Sequence, residues 1–392
     1  MKNKKDNFIN DKILTVVISV IFGLIAGLVG ALAAGAFLFE DLSNIPFFGE
    51  INFSNSHYNG SNLVISGAKK VIVEQDTKII ETINSVNNSI VGIYKKIPEG
   101  KSEPAVNNNN FELADYYKLD QPVGLGIIVS SDGWIATDVS NYNVGLSNIL
   151  DNYVIITKEN RIYNIDSFIK DTVTSFSFIH AAGANDFSVC QFAEENEIKS
   201  GQATLIVGWR GKNLLSRLIE KKDISSSLVK NSDVYFESYI LSNGIDRKFY
   251  GTAVFDLSGN IIGLVDGKGG VIPVSHFTSA INSLFKNNEI RRPSLGINYI
   301  DLSNLISGKK TLENGAIIYK EGGKNGIVPQ SPADLAGLDE GDIVISIDSK
   351  IINGDNNLTN VIQSYLAEDE INILYLRGGE EKEIKVKLGE IE

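Results

Sequence analysis

The chain has 392 residues, 43% of them hydrophobic and 21% charged, with a formal net charge of −12. This length allows two or three domains, and the composition is that of a folded globular protein rather than a disordered or low-complexity chain. The acidic balance excludes nucleic acid as a partner, because binding phosphates requires clustered basic side chains. The single cysteine, Cys190, excludes an intrachain disulfide and a zinc site built from cysteines.

Residues 13–39 contain no charged side chain, and as a helix they would be roughly 40 Å long, more than a bilayer core requires. Lysines precede this stretch, whereas Glu40 and Asp41 follow it. The positive-inside rule therefore predicts a cytoplasmic tail at 1–12, a transmembrane helix at 13–39 and the bulk of the chain outside the cytoplasm, at the cell membrane. A cleaved secretory signal ending at Ala31-Leu32-Ala33 is the open alternative.

The rest of the chain divides into a linker and two folded units. Residues 40–67 lack a hydrophobic period and are interpreted as the linker. Short alternating apolar runs in residues 68–290 are typical of a β-barrel or sandwich, and residues 294–392 mix strands with helices near 332–338 and 358–366. The predicted strands of the first unit lie at 89–94, 126–129, 134–137, 154–157, 188–192, 203–207 and 234–236, followed by a hairpin at 255–264 and a helix at 276–286.

Four sequence blocks, taken in their order along the chain, resemble those of one protein family. They are GLGIIVSSDGWIAT at 124–137, NDFSVCQF at 185–192, GTAVFDLSGNIIGL at 251–264 and SPADLAGLDEGDIVISID at 331–348. In this order they resemble the HtrA/DegP serine proteases. The resemblance implies a mainly β fold: a trypsin-like double β-barrel at 68–290, followed by an α+β PDZ domain at 294–392.

The resemblance also identifies the positions of the catalytic triad. The family's first block runs into Thr-Asn-x-His, and here Ser140 stands in place of the histidine. Asp186 stands where the family has its aspartate. Counting back from Gly251, Tyr250 stands in place of the nucleophilic serine, and Lys248 in place of the glycine whose amide faces the oxyanion.

These replacements predict a pseudoprotease, because a serine hydroxyl is not a proton acceptor near neutral pH and a tyrosine, with a pKa of about 10, is a poor nucleophile for an amide. None of the three histidines, at 57, 180 and 276, matches the position of the base. Two alternatives stay open. One is an active serine endopeptidase with an unrecognised site. The other is a regulatory partner of an active homologous protease, assembled as trimers are in this family.

The start of the second unit resembles a peptide-binding loop. In PDZ domains a hydrophobic-Gly-hydrophobic sequence precedes the strand beside which a ligand adds, and here it reads Leu295, Gly296 and Ile297. The resemblance implies that these three amides bind the C-terminal carboxylate of a peptide or unfolded protein. An ordinary strand start is the alternative. The sequence indicates no metal site and no cofactor, since its glycine pairs read as turns.

Overall fold

The computed structural model describes residues 16–27, 29–30, 75–98, 116–140, 149–306, 308, 313–323 and 325–391. Residues 1–71 and residues 72–392 form two separate units. In the first unit, residues 16–27 are helical (α1) and their side chains are exposed. Within the described ranges, no helix is both long and apolar enough to cross a lipid bilayer. The predicted tail at 1–12, the predicted linker at 40–67 and both ends of the predicted span at 13–39 lie outside the described residues.

The second unit begins with a helix described from residue 75 to 86 (α2), followed by a closed six-stranded barrel. Around the barrel the strands lie in the order β1-β2-β3-β6-β5-β4, all antiparallel. A short helix, α3 (Ile149–Asn152), leads into β4. The strands are β1 (Ile90–Lys95), β2 (Gly124–Ile128), β3 (Trp134–Asp138), β4 (Tyr153–Ile156), β5 (Ile162–Lys170) and β6 (Phe176–Ala181).

A second closed barrel follows, with the order β10-β13-β12-β11-β7-β8. Helix α4 (Thr278–Asn287) comes after its last strand. The strands are β7 (Ala203–Val207), β8 (Asn213–Asp223), β10 (Glu237–Leu241), β11 (Ala253–Phe255), β12 (Ile261–Val265) and β13 (Val271–Pro273). The two-residue strand β9 (Lys230–Asn231) lies between β8 and β10 in sequence but belongs to a different sheet.

The C-terminal domain is a sheet with two short helices. Its strand order is β20-β19-β17-β16-β15-β9, with β18 paired to β17, and β14 pairs separately with β21. Helices α5 (Pro332–Ala336) and α6 (Leu358–Ile362) each begin with a side-chain cap, from Ser331 and Asn357. The strands are β14 (Pro293–Ser294), β15 (Asn298–Asp301), β16 (Ala316–Ile318), β17 (Ile343–Ile347), β18 (Lys350–Ile351), β19 (Glu370–Arg377), β20 (Glu380–Lys387) and β21 (Gly389–Glu390).

Both faces of strand β1 are buried, which explains its continuous apolar sequence. Ile90 and Tyr94 join a core cluster that also contains Leu205 and Phe255 of the second barrel. Val91 belongs to a separate cluster made by the first barrel alone. The C-terminal domain has a core of its own. The mainly β double barrel with an α+β C-terminal domain is thus confirmed, whereas a transmembrane helix is not.

Two predicted strands are wrong. Residues 188–192 form no strand; only Phe192 makes a bridge, to Ile261, because this stretch is the extended connector between the barrels. The strand that pairs with β3 is β6, whose Phe176 and Phe178 fill the core between the barrels. Residues 234–236 are also irregular, and the neighbouring strands are β9 and β10.

Candidate functional site

The end of strand β3 carries a buried carboxylate that joins the two barrels. Asp138 is 5% exposed. It accepts three hydrogen bonds, each 2.8 Å long, from the backbone N–H of Ser140, the hydroxyl of Ser175 and the backbone N–H of Gly267. Gly267 follows β12, so one carboxylate connects the first barrel to the second. Ser140 itself is exposed.

Tyr250 lies close to this point, directly after the 3₁₀ turn Arg247–Phe249. The next residue, Gly251, has φ +83°, and a Cβ there would lie 2.3 Å from the carbonyl oxygen of Leu125 on β2. The Tyr250 hydroxyl lies 3.2 Å from where a Cβ of Gly269 would be. The ring is therefore half-buried, packed against the second barrel and the turn after β12.

One of the two amides that a trypsin-like site would use to bind an oxyanion is engaged within its own turn here. In such sites the N–H of the nucleophile and the N–H two residues earlier bind the developing charge. Here the Tyr250 N–H donates to the carbonyl oxygen of Arg247 at 3.2 Å. The Lys248 side chain forms an ion pair with Asp246 at 2.7 Å and is half exposed.

The structure separates Asp186 from the other triad positions. Strands β3 and β6 are antiparallel, with Asp138 opposite Phe176 and Trp134 opposite His180. Asp186 follows β6, so it lies at the Trp134 end, away from Ser140 by about the 13 Å length of a five-residue strand. There its exposed carboxylate pairs with Arg161 at 3.2 Å.

Ser175, which the sequence motifs do not identify, lies beside Asp138 instead. It directly precedes β6 and shares the Asp138 carboxylate with Ser140. An acid motif does not identify this position, because the residue is a serine. The available signal was the alternating run FSFIHA, which predicts a strand starting at Phe176.

Neither histidine in the described ranges stands at the position that the sequence motif predicts for a base. His180 bonds to the Asp166 carboxylate at 2.6 Å and to the carbonyl oxygen of Asp132 at 3.0 Å. His276 is 1% exposed and stacks on Tyr235 with ring centroids 3.6 Å apart. Burial holds its pKa well below the ordinary value, and the positive charges of Lys221 and Arg292 lower it further. His276 is therefore neutral and belongs to the packing between domains.

The predicted peptide-binding loop holds a carboxylate from the chain itself. The N–H of Leu295 donates to Asp233 Oδ1 at 2.9 Å, and the N–H of Gly296 donates to Asp233 Oδ2 at 3.1 Å. The Ser294 hydroxyl adds a third bond, 2.7 Å long, to the same carboxylate. The N–H of Ile297 instead donates to the Ser232 hydroxyl at 3.0 Å. Two of the three predicted amides thus converge on one carboxylate.

Gly296 is the residue that makes this loop possible. Its φ is +79°, and an added Cβ would lie 2.3 Å from Cβ of Ser331, which caps α5. Only glycine combines this left-handed conformation with so close an approach. The loop amides are therefore fixed by backbone geometry.

Strand β9 lies in the groove between β15 and α6. Asn231 pairs with Asn298, and Lys230 pairs with Tyr299, both antiparallel. On the helix side, the Thr359 hydroxyl donates to the carbonyl oxygen of Asn231 at 2.8 Å. A segment from the second barrel thus extends the C-terminal sheet by one strand. The local sequence indicates it only weakly, through a serine-rich stretch before Tyr235 and Phe236.

Comparison with known proteins supports the same domains. A sequence profile of the PDZ domain matches residues 293–388. The chain is 22% identical over 363 residues to the serine protease Do-like HtrA of Lactococcus lactis subsp. cremoris (strain MG1363), covering 84% of this chain and 87% of the relative. It is 25% identical over 299 residues to a probable periplasmic serine endoprotease DegP-like of Rickettsia conorii, covering 71% of this chain and 56% of that relative.

Solved structures share the fold. The HtrA-type protease AlgW with a tripeptide aligns with a TM-score of 0.55 at 15% identity, over 80% of this chain and 97% of that one. AlgW with a decapeptide gives 0.53 at 16% identity, over 80% and 99%. The two barrels, the domain order and these sequence similarities identify the chain as an HtrA-like protein, a trypsin-like double barrel followed by a PDZ domain.

Proposed function

We propose that this HtrA-like protein is a pseudoprotease that binds peptide tails or unfolded segments through the groove between β15 and α6. The observation that carries the proposal is the convergence of the Leu295 and Gly296 amides on a carboxylate, with a strand added beside β15. Backbone amides supply the affinity for a carboxylate, and main-chain pairing accepts many sequences. The peptide-bound AlgW structures support the same use of the fold.

The absence of proteolysis is proposed on chemical grounds. Covalent catalysis needs a nucleophile activated by a neighbouring base. Ser140 is not a base, and the Tyr250 amide is already bonded within its own turn. The buried Asp138 carboxylate beside Ser140 is already engaged by three hydrogen-bond donors. These features oppose the alternative of an active endopeptidase.

Membrane anchoring in the cell envelope is the second part of the proposal. It is supported by the uncharged stretch at 13–39 between a lysine-rich start and an acidic flank. Membranes carrying the full chain are expected to retain it after washing with alkaline carbonate, because a spanning helix is held by apolar burial rather than by charge. Release of the full chain into the wash would contradict the anchor.

Binding is tested with a peptide whose C-terminus can be blocked. The tail probe is a fluorescein-labelled Ser-Leu-Val-Lys-Asn-Ser-Val with a free carboxylate, and its matched control ends in an amide. Because charge-assisted hydrogen bonds contribute about 1.5–3 kcal/mol, the full chain is expected to bind the free acid at least tenfold more tightly. In the anisotropy experiment the labelled peptide is held constant and the protein is titrated up to millimolar concentration. This range is needed because the groove already holds a segment of the chain, which weakens the binding of the probe. Equal affinity for the free acid and the amide would contradict a carboxylate-binding site in the loop.

A further inference from the structure

The groove of the PDZ domain is filled by Lys230–Asp233, here named the groove segment. We propose that the groove segment is an internal ligand, with the Asp233 side chain in the place of a peptide's terminal carboxylate, so that a peptide binds only by displacing it. This inference rests on the proposed function, because it assumes that the groove is a peptide-binding site.

The first argument is the chemistry of the carboxylate. Asp233 accepts hydrogen bonds from two loop amides and from the hydroxyls of Ser294 and Ser232. A carboxylate has about four lone-pair sites and donates nothing, so these four donors match what it can accept. A loop whose amides point at one spot binds an anion well and a neutral side chain poorly. Asp233 therefore accepts from this loop the hydrogen bonds that the C-terminal carboxylate of a peptide would accept.

The second argument is the backbone of the groove segment. Its strand β9 adds antiparallel to β15, and the Ser232 N–H continues the ladder by donating to the carbonyl oxygen of Ile297 at 2.9 Å. On the opposite side the Asn231 carbonyl accepts from Thr359. This is the geometry of strand addition. The segment thus reproduces both parts of a ligand, the extended backbone and the terminal anion.

The third argument is the tether. Lys230 forms an ion pair with Asp223 at the end of β8, and its ammonium lies 4.8 Å from the ring centre of Phe236. Phe236 packs against the core of the C-terminal domain, and Tyr235 stacks on His276. The second barrel thus holds the groove segment next to the groove. For so short a connection, the effective concentration of the segment at the groove is in the millimolar range.

Tethering sets the size of the expected effect. A ligand of ordinary peptide affinity at millimolar effective concentration keeps its groove occupied most of the time, and an external peptide binds only the open fraction. We therefore expect the internal ligand to weaken the binding of an external peptide by about 10- to 100-fold.

The experiment compares three forms of the full chain: wild type, Asp233→Ala, and Asp355→Ala as a matched control, since Asp355 is an exposed aspartate outside the loop. Two probes are used. One is the tail probe with its free carboxylate. The other, the segment probe, copies residues 227–233 and ends in an amide, so that its only carboxylate is the aspartate side chain. A third peptide with asparagine in place of that aspartate controls for charge.

We expect Asp233→Ala to bind both probes about 10- to 100-fold more tightly than wild type, and Asp355→Ala to match wild type. The asparagine peptide should bind Asp233→Ala at least tenfold more weakly than the segment probe. Equal affinity of wild type and Asp233→Ala for the tail probe would overturn the internal ligand while leaving tail binding intact. If Asp233→Ala binds the segment probe but no free tail, the internal ligand stands and the proposed function fails. Binding of neither probe would overturn both.

A second measurement uses the unaltered chain. Saturating tail probe is expected to speed hydrogen exchange in residues 230–233, because displacement breaks the bond from Ser232 to Ile297 and the pairing of β9 with β15. Exchange in β19 and β20 should not change, since these strands lie on the far side of the sheet. Bound probe without faster exchange in the groove segment would show that the peptide binds elsewhere, and would overturn the proposal.

Discussion

Replacing Arg292 with methionine is expected to destabilise the protein by about 3–5 kcal/mol, because it leaves the buried Asp171 carboxylate without its charge partner. The side chains of Arg292 and Asp171 are both 0% exposed. Arg292 Nε donates to Asp171 Oδ1 at 3.0 Å, and the guanidinium also donates to the Ser279 hydroxyl and the His276 carbonyl oxygen, each at 2.9 Å. The pair joins the first barrel to the connection between α4 and the C-terminal domain.

The adjacent arginine provides the matched control. Arg291 pairs with Glu368 and Glu390, but all three side chains are partly exposed. Each exposed pair contributes at most about 1 kcal/mol, so Arg291→Met should lower the free energy of unfolding in urea by at most about 2 kcal/mol, less than Arg292→Met does. Asp171→Leu combined with Arg292→Met should recover part of the loss, because no buried charge is then unpaired. Equal effects of Arg291→Met and Arg292→Met would contradict the prediction.

Much of the fold could be predicted because its signals are local. The DG turn between β2 and β3, the hairpin of β11 and β12, and the capped start of α5 are each encoded within a few residues. Their order along the chain then selects the double barrel and its C-terminal domain. Element bounds were less exact: α6 ends at Ile362, whereas the sequence pattern extends to Leu366.

The position of the triad aspartate could not be predicted from a motif. The block containing Asp186 looks like a strand because its apolar residues alternate, yet the barrel pairs β3 with β6 instead. A strand takes its place in the barrel when its apolar face completes the core. That depends on all strands of the closed barrel rather than on one segment. The position of Ser175 beside Asp138 can therefore be recognised only once the register of β6 against β3 is known.

The groove segment shows the same limit more strongly. Lys230 and Asn231 pair with residues almost seventy positions later in the chain, and no local pattern indicates that pairing. The sequence did indicate the carboxylate loop at Leu295, Gly296 and Ile297. It could not indicate that Asp233 fills it, because Asp233 reads as an ordinary turn residue after a polar stretch.

Proteolysis by the full chain is expected to be indistinguishable from background, and this is the largest effect predicted here. In serine proteases, loss of the nucleophile or the base lowers kcat by a factor of about 10⁶. The resemblance assigns Tyr250 and Ser140 to those two positions, and Asp186 lies at the other end of the barrel strand. An unfolded fluorescent protein substrate should remain intact while trypsin, as a positive control, digests it.

The double variant Ser140→His with Tyr250→Ser separates missing side chains from missing geometry. We expect it to remain inactive, for three reasons that the structure supplies. The amide at position 250 is bonded to the Arg247 carbonyl, Asp186 lies at the other end of β3, and the Asp138 carboxylate near position 140 is already engaged by three donors. A fluorophosphonate probe, which labels activated serines, should accordingly leave both proteins unlabelled.

The outcomes discriminate between two kinds of inactive site. Activity in the double variant would mean that the backbone still forms an oxyanion site once a serine is present, so that only the side chains have been lost. Continued inactivity would mean that the surrounding geometry, and not only the two side chains, differs from that of an active protease. Hydrolysis by the wild-type chain that persists through purification and through changes at Ser140 and Tyr250 would contradict the prediction and require a nucleophile elsewhere.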